Sequence, residues 1–203
     1  MIEKGAVFPM FYLPPVEYFT KLNALRADIF MEKEEHFPKQ TFRNRANICT
    51  PDGTLSLTVP VIKGSKNHTK SKDVKISYDF DWQRLHWMSL QSCYRRSAYF
   101  EYYEDELSRF YHNQFEYLFD FNEQLLQFVL KSIRLKITWD YTTSYESTYA
   151  DLIDYRNVID SKQESDFDQK HYFQVFEDRN GFIKNLSIVD LMFNQGPHSS
   201  DYL

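Results

Sequence analysis

Residues 42–61, FRNRANICTPDGTLSLTVPV, carry the clearest local signal in the chain. Phe42, Ala46 and Ile48 alternate with Arg43, Arg45 and Asn47, with Asn44 the one exception on the apolar side. Leu55, Leu57, Val59 and Val61 then alternate with Ser56, Thr58 and Pro60. A period of two marks strands with one face toward a core. Between the arms, Thr50-Pro51-Asp52-Gly53 puts Pro at the second and Gly at the fourth position of a type I turn. The pattern predicts an antiparallel hairpin of 42–49 with 54–61, with Leu55, Leu57 and Val59 buried. Pro60 has no N–H to give a ladder, which puts that end of the arm at an edge.

Working outward, Gly5–Phe11 reads as a short apolar strand leading into Leu13-Pro14-Pro15. Proline is tolerated in a first helical turn, and Val16, Phe19, Leu22 and Leu25 recur at a spacing of three, as on one face of a helix. Ala27–Met31 is a second strand, followed by an acidic turn at Glu32, Glu34 and Glu35. Residues 63–73 are polar and read as a surface loop or a lid. Val74, Ile76, Tyr78 and Phe80 alternate as a strand, and Asp81 stands as N-cap of a helix from Trp82 to about Tyr94. Further helices are expected from Tyr102 and over Phe115–Leu135, then strands at Ile137–Tyr141 and Tyr172–Phe176. Residues 160–170 carry dense mixed charge and read as a mobile linker. Ser187 caps a last helix, Ile188–Asn194, ended by Gly196-Pro197. Strands gather early and helices in the middle, without the βαβ regularity of a doubly wound sheet. The expectation is a single α+β domain over residues 1–203, its mixed or antiparallel sheet carrying the early hairpin and packing against the helices.

A chain of 203 residues buries roughly 70% of its unfolded surface on folding, so a core forms without metal or disulfides. The 18 Phe, 15 Tyr and 3 Trp supply that core, and each buried Tyr needs a partner for its hydroxyl. A net charge of −5 with no basic stripe argues against nucleic acid. Cys49 and Cys93 form no CxxC and read as reduced thiols of a cytoplasmic protein. No long apolar run is present, so no membrane span is expected. Nothing matches GxGxxG or a P-loop, and no cofactor is expected. HExxH and zinc-type Cys/His spacings are absent too; His112 and Glu116, four apart, are weak alone, and no metal is expected.

Arg43, Arg45 and Asn47 fall on alternate strand positions, roughly 7 Å apart on one face. Two guanidinium forks and an amide there suit a carboxylate or phosphate, against the plainer reading of a surface face paired to Glu32, Glu34 or Glu35. Lys39 and Gln40, just ahead, add a charge and an amide. His86, one turn after Trp82, is the candidate acid or base, set against a packing histidine. Asp79 and Asp81 flank that helix entry; Asp81 is the second catalytic candidate and also the plain N-cap. Cys93 lies seven residues after His86 on the same helix, roughly 10 Å by helical rise, too far for direct pairing. Arg43, Arg45 and His86 are expected to meet in one solvent-accessible pocket.

The blocks LPPVEYFTKL, HFPKQTFRNRANI, LSLTVPV, DWQRLHWMSLQSCYRRSAYFEYYEDEL and YFQVFEDRNGFIKNLSIVDLMFNQGP run in an order that resembles the WbqC-like family across nearly the whole chain. The family's opening Gln-Pro has no counterpart in Val7–Tyr12, and Pro15 stands in place of its Trp. Proteins similar to these accompany genes for O-antigen and other surface polysaccharides, so the resemblance implies a transferase passing glycine or another amino-acid-derived group to a sugar. An anionic or sugar-nucleotide substrate would suit Arg43 and Arg45. The alternative is a non-catalytic module binding glycans or a pathway partner, with Tyr99, Phe100, Tyr102 and Tyr103 as an aromatic shelf.

Overall fold

Strand β1 (Ala6–Pro9) is buried along its whole length, the mark of a strand covered on both faces. In the computed structural model, which describes residues 4–25, 27–62, 68–160, 165 and 167–203, it lies at the centre of a parallel sheet. Helix α1 (Val16–Ala24) returns the chain so that β2 (Ile29–Glu32) pairs with β1 in parallel, Ala6 opposite Ile29. Two-residue strands β5 (Asp140–Tyr141) and β6 (Ile153–Asp154) close the order β5-β2-β1-β6, all parallel. The chain is α+β, but its larger sheet is parallel and built on one βαβ unit, while the hairpin stands apart as a two-stranded antiparallel sheet.

That hairpin is β3 (Arg45–Thr50) and β4 (Gly53–Thr58), with Ala46 opposite Leu57 and Thr50 opposite Gly53. Gly53 has φ +108°, a conformation that favours glycine. Leu57 and Val59 are buried as the alternation predicts, whereas Leu55 is 38% exposed. Among the described residues nothing pairs beyond β4 in this sheet, so its side chains near the turn have less cover than those of β3.

Helices α2 (Trp82–Tyr94), α3 (Phe100–His112) and α4 (Leu118–Ser132) pack around the core. Asp81 caps α2, its carboxylate accepting from the Arg84 N–H. The expected strand at 74–80 is reduced to single bridges, Val61 with Ile76 and Lys75 with Tyr117, after a 3-10 turn at Ser71–Asp73. The lid reading of 63–73 falls partly on 63–67 and the linker reading of 160–170 partly on 161–164 and 166, outside the described residues.

Tyr172–Phe176 is not a strand; Tyr172 and Gln174 turn inward, and a short helix α5 (Glu177–Asn180) follows. Helix α6 (Ile188–Gln195) is buried from Ile188 to Asn194, as an all-round apolar helix must be. Ser187 pins its start: its N–H donates to the Asn47 carbonyl at 2.8 Å and its hydroxyl to Leu13 at 2.9 Å. Asp190, at its centre, accepts from Tyr94 at 2.9 Å and Tyr172 at 2.8 Å. Burial still raises that carboxyl to about 6. No helix among the described residues is long and apolar enough to cross a membrane.

Candidate functional site

Ligands of open parallel sheets lodge beyond the carboxyl ends of the strands, and the polar groups concentrate there. The segment leaving β1 carries Tyr12, whose N–H donates to the Phe42 carbonyl at 2.9 Å and whose ring stacks on Phe121. Its hydroxyl lies 3.0 Å from His86 Nδ1 and 2.9 Å from the Tyr111 hydroxyl. Burial lowers His86 to about 4, partly offset by a hydrogen bond to the Thr58 backbone. The imidazole is therefore neutral at pH 7, with one N–H spent on that carbonyl. Nδ1 must then accept, so Tyr12 donates to His86 and receives from Tyr111, a chain with one direction.

Arg43 and Arg45 diverge. Strand β3 begins at Arg45, so only Arg45 and Asn47 share a strand face; Arg43 sits in the preceding turn. Arg43 is 3% exposed and closes a two-pronged pair with Glu35, Nε to Oε1 at 2.6 Å and Nη2 to Oε2 at 3.0 Å. Nη2 also donates to the Arg156 carbonyl at 3.1 Å. Burial raises the Glu35 carboxyl although Arg43 opposes it. A void of about 10 Å³ adjoins the pair, lined also by Ser71, Phe37 and Asn122, just large enough for one water.

The partner of Arg43 belongs to a cluster that the sequence presents as a plain acidic turn. Glu32, the last residue of β2, is fully buried. Its carboxylate accepts from the N–H groups of Glu34 and Glu35, the hydroxyls of Thr142 and Tyr149, and Arg156. Asp154, ending β6, grips Arg156 at 2.6 Å. Glu34 takes Lys70 and Lys72, both at 2.7 Å. No spacing rule could reveal Arg156 or Thr142 as partners, since each lies over a hundred positions from Glu32.

Arg45 is different. It is half-buried, makes no ion pair or side-chain hydrogen bond among the described residues, and its Nε is buried without a partner. It pairs across the hairpin with Thr58, the residue whose backbone holds His86, so Arg45 and His86 border one residue. Trp82 stands edge-on to His86 at 5.1 Å with its Nε1 also unpartnered. Asn44 Oδ1 and Asn122 Oδ1 add two more. Four of the six buried orphan atoms among the described residues thus fall on the elements around Arg43, Arg45 and His86. Buried polar atoms normally find partners, so these four positions are where the fold leaves hydrogen-bonding capacity unused among the described residues.

His86 is 6% exposed and does not line the void beside Arg43. Lys39, Gln40 and Asp81 are exposed, and Asn47 is half-buried. Asp79 accepts from the Ser77 hydroxyl at 2.8 Å. The aromatic shelf does not form: Phe100 and Tyr103 are core residues, and Tyr102 alone of the four is exposed. Among the described residues no group of three His, Cys, Asp or Glu is placed to hold a metal ion.

A family model described as "WbqC-like protein family" matches residues 10–166, a span that holds Tyr12, Glu32, Glu35, Arg43, Arg45, His86 and Arg156. The chain is also 28% identical, over 228 aligned positions covering 100% of its length and 98% of the relative's, to "Uncharacterized protein Rv1507c" of Mycobacterium tuberculosis. No solved structure matches. With the model covering about three-quarters of its length, the chain belongs to the WbqC-like protein family.

Proposed function

We propose that the protein is a transferase of bacterial surface-polysaccharide biosynthesis, passing an amino-acid-derived group to a sugar, and that its anionic substrate docks on Arg45. One observation supports this above the rest: a half-buried guanidinium that makes no ion pair among the described residues. Removing water from an unpaired charge is expensive, and an incoming carboxylate or phosphate relieves that expense while fitting the fork. Asn47, on the same strand face, supplies a neutral donor for the same ligand. His86 is the acid–base candidate of this reading, entering through the directed chain from Tyr111 and Tyr12 rather than as an open imidazole. Arg43, saturated by Glu35, holds the turn that presents Arg45.

The test is a thermal-shift panel of nucleotide sugars, free amino acids and aminoacyl donors, followed by mass spectrometry of donor–acceptor mixtures. A ligand at a hundred times its Kd stabilises by about 2.7 kcal/mol, and Arg45→Ala should erase that shift. A panel with no shift, or one that Arg45→Ala leaves intact, refutes the docking role. Binding without any product refutes the transferase and leaves the glycan-binding module.

A further inference from the structure

A second concavity lies between the end of α2 and the segment around α5. It has a volume of about 520 Å³, within the usual range of small-ligand sites. One wall is the last turn of α2 and the residues just after it, with Ser92, Cys93 and Arg96; the other is the 173–179 segment, with Phe173, Asp178 and Arg179. An adjoining hollow of about 410 Å³ shares Ser92 and Arg96 and continues along α2. None of these residues lines the void beside Arg43.

Both walls are fixed. Asn180 donates to the Thr50 carbonyl at 2.8 Å, tying α5 to the hairpin turn. Gln174 clasps Ile183 through both its amide atoms, at 2.8 and 2.9 Å. Helix α2 is held from below by Tyr94, whose hydroxyl receives the Cys49 N–H and donates to Asp190.

The groups facing the groove are chemically specific. Arg95 is occupied by Glu104 at 2.7 Å, but Arg96 and Arg179 have no ion pair or side-chain hydrogen bond among the described residues. Both line the groove, from opposite walls, and Asp178 is the one carboxylate among its described lining residues. This makes the groove locally positive in a chain of net charge −5. Two guanidinium forks suit a multivalent oxyanion better than a single carboxylate. Phe173 is 62% exposed, a large ring left at the mouth of a concavity, where its face is free for another ring. Asp178 would repel a second anionic group but can accept from hydroxyls.

We infer that this groove binds an organic phosphate carrying a hydroxylated ring: the phosphoryl group lies between Arg96 and Arg179, the ring on Phe173, and ring hydroxyls on Asp178. Such a ligand can be a sugar phosphate or the ribose phosphate of a nucleotide. This inference stands apart from the Arg45 reading, because the two sites share no residue.

Calorimetric titration of the full chain with a hexose 1-phosphate, a nucleoside 5′-monophosphate and inorganic phosphate tests it. At least one of the two organic phosphates should bind, more tightly than inorganic phosphate, and the tighter one identifies the ring. Arg96→Ala and Arg179→Ala should each weaken it by roughly tenfold or more, the scale of a lost charged hydrogen bond. Phe173→Ala and Asp178→Asn should weaken the organic ligand and leave inorganic phosphate unchanged. All four positions are exposed, so an unchanged melting temperature confirms that each variant is folded. No binding by either organic phosphate overturns the inference. So does binding that survives both arginine changes, or binding that Arg45→Ala abolishes while Arg96→Ala and Arg179→Ala do not.

Discussion

Arg43 and Arg45 stand two residues apart, and the structure predicts opposite consequences when each becomes Met, which keeps most of the bulk and removes the charge. Arg43→Met deletes charge-assisted bonds of 2.6, 3.0 and 3.1 Å. It leaves the buried Glu35 with a 3.5 Å contact to Ser71 and, beyond that, the attraction of Arg156 set against the repulsion of Glu32. Removing one member of a buried pair costs about 3–5 kcal/mol. For a chain of this size, at roughly 2–4 °C per kcal/mol, the melting temperature should fall by about 6–20 °C at pH 7. Arg45→Met loses no partner, so its stability should stay within about 1 kcal/mol of the parent or rise. Urea unfolding measured by tryptophan fluorescence gives both values. A pH series adds a control: Glu35 already has a raised pKa, and without Arg43 it rises further. The deficit of Arg43→Met should therefore shrink as pH falls through that raised value, because a neutral carboxyl needs no cation. Equal losses for the two variants would mean that Arg45 has a structural partner after all. A loss below 1 kcal/mol for Arg43→Met would refute the buried clamp.

Two buried groups should hide each other's pH dependence. His86, lowered to about 4, contributes stability that is full above its unfolded value near 6.5 and lost as pH falls toward 4. Asp190, raised to about 6, contributes stability that is full below its unfolded value near 3.8 and lost as pH rises toward 6. Each effect is about 3 kcal/mol by linkage, and they oppose one another between pH 4 and 6. The parent should be nearly flat there, whereas His86→Gln should lose stability as pH rises and Asp190→Asn as pH falls; parallel slopes for the two would disprove the assignment. Gly196→Ala should cost about 2–4 kcal/mol, because φ is +55° and the new methyl would overlap the Tyr99 ring. A melting temperature unchanged by that substitution would show that the ring moves freely. Ser187→Ala removes both the α6 cap and the bond to Leu13, and should cost about 1–2 kcal/mol in the same urea assay.

The hairpin was legible because two independent codes agree there, alternation on each arm and a Pro-Asp-Gly turn between them. The helices were legible from their apolar spacing, and Asp81 and Ser187 from cap chemistry. The parallel sheet was not. Its outer strands, β5 and β6, are two residues long, too short for any period to show. The alternation at 74–80 is real, yet Ile76 and Lys75 spend their backbone groups on single bridges to different neighbours. Alternation reports which side chains turn inward and says nothing of whether a partner strand lies alongside. Tyr172 and Gln174 make the same point: both are buried, two residues apart, and what fixes them is Asp190 and Ile183 rather than a ladder.

For the candidate site, residue type was readable and pairing was not. Arg43-x-Arg45 implies a common face only if one strand contains both positions, and the strand starts between them. Once the backbone turns there, Arg43 swings to Glu35, eight residues back, and Arg45 remains beside Thr58. The carboxylates of the acidic turn then divide, with Glu35 neutralising Arg43 and Glu32 taking Arg156 from far along the chain. That division leaves Arg45 without a counter-ion among the described residues. Among the described residues the Arg45 guanidinium gives no hydrogen bond to the fold, so a neutral residue at position 45 should cost the fold little. Under the proposed docking of an anion, Arg45 supplies a cation that the described residues leave unpaired, and Trp82, Asn44 and Asn122 on neighbouring elements also carry buried polar atoms without partners among them. Arg43 carries the same functional group, yet its contacts account for it completely. What distinguishes the two is that Arg45 has no partner among the described residues, a property of the folded chain that no spacing in the sequence encodes.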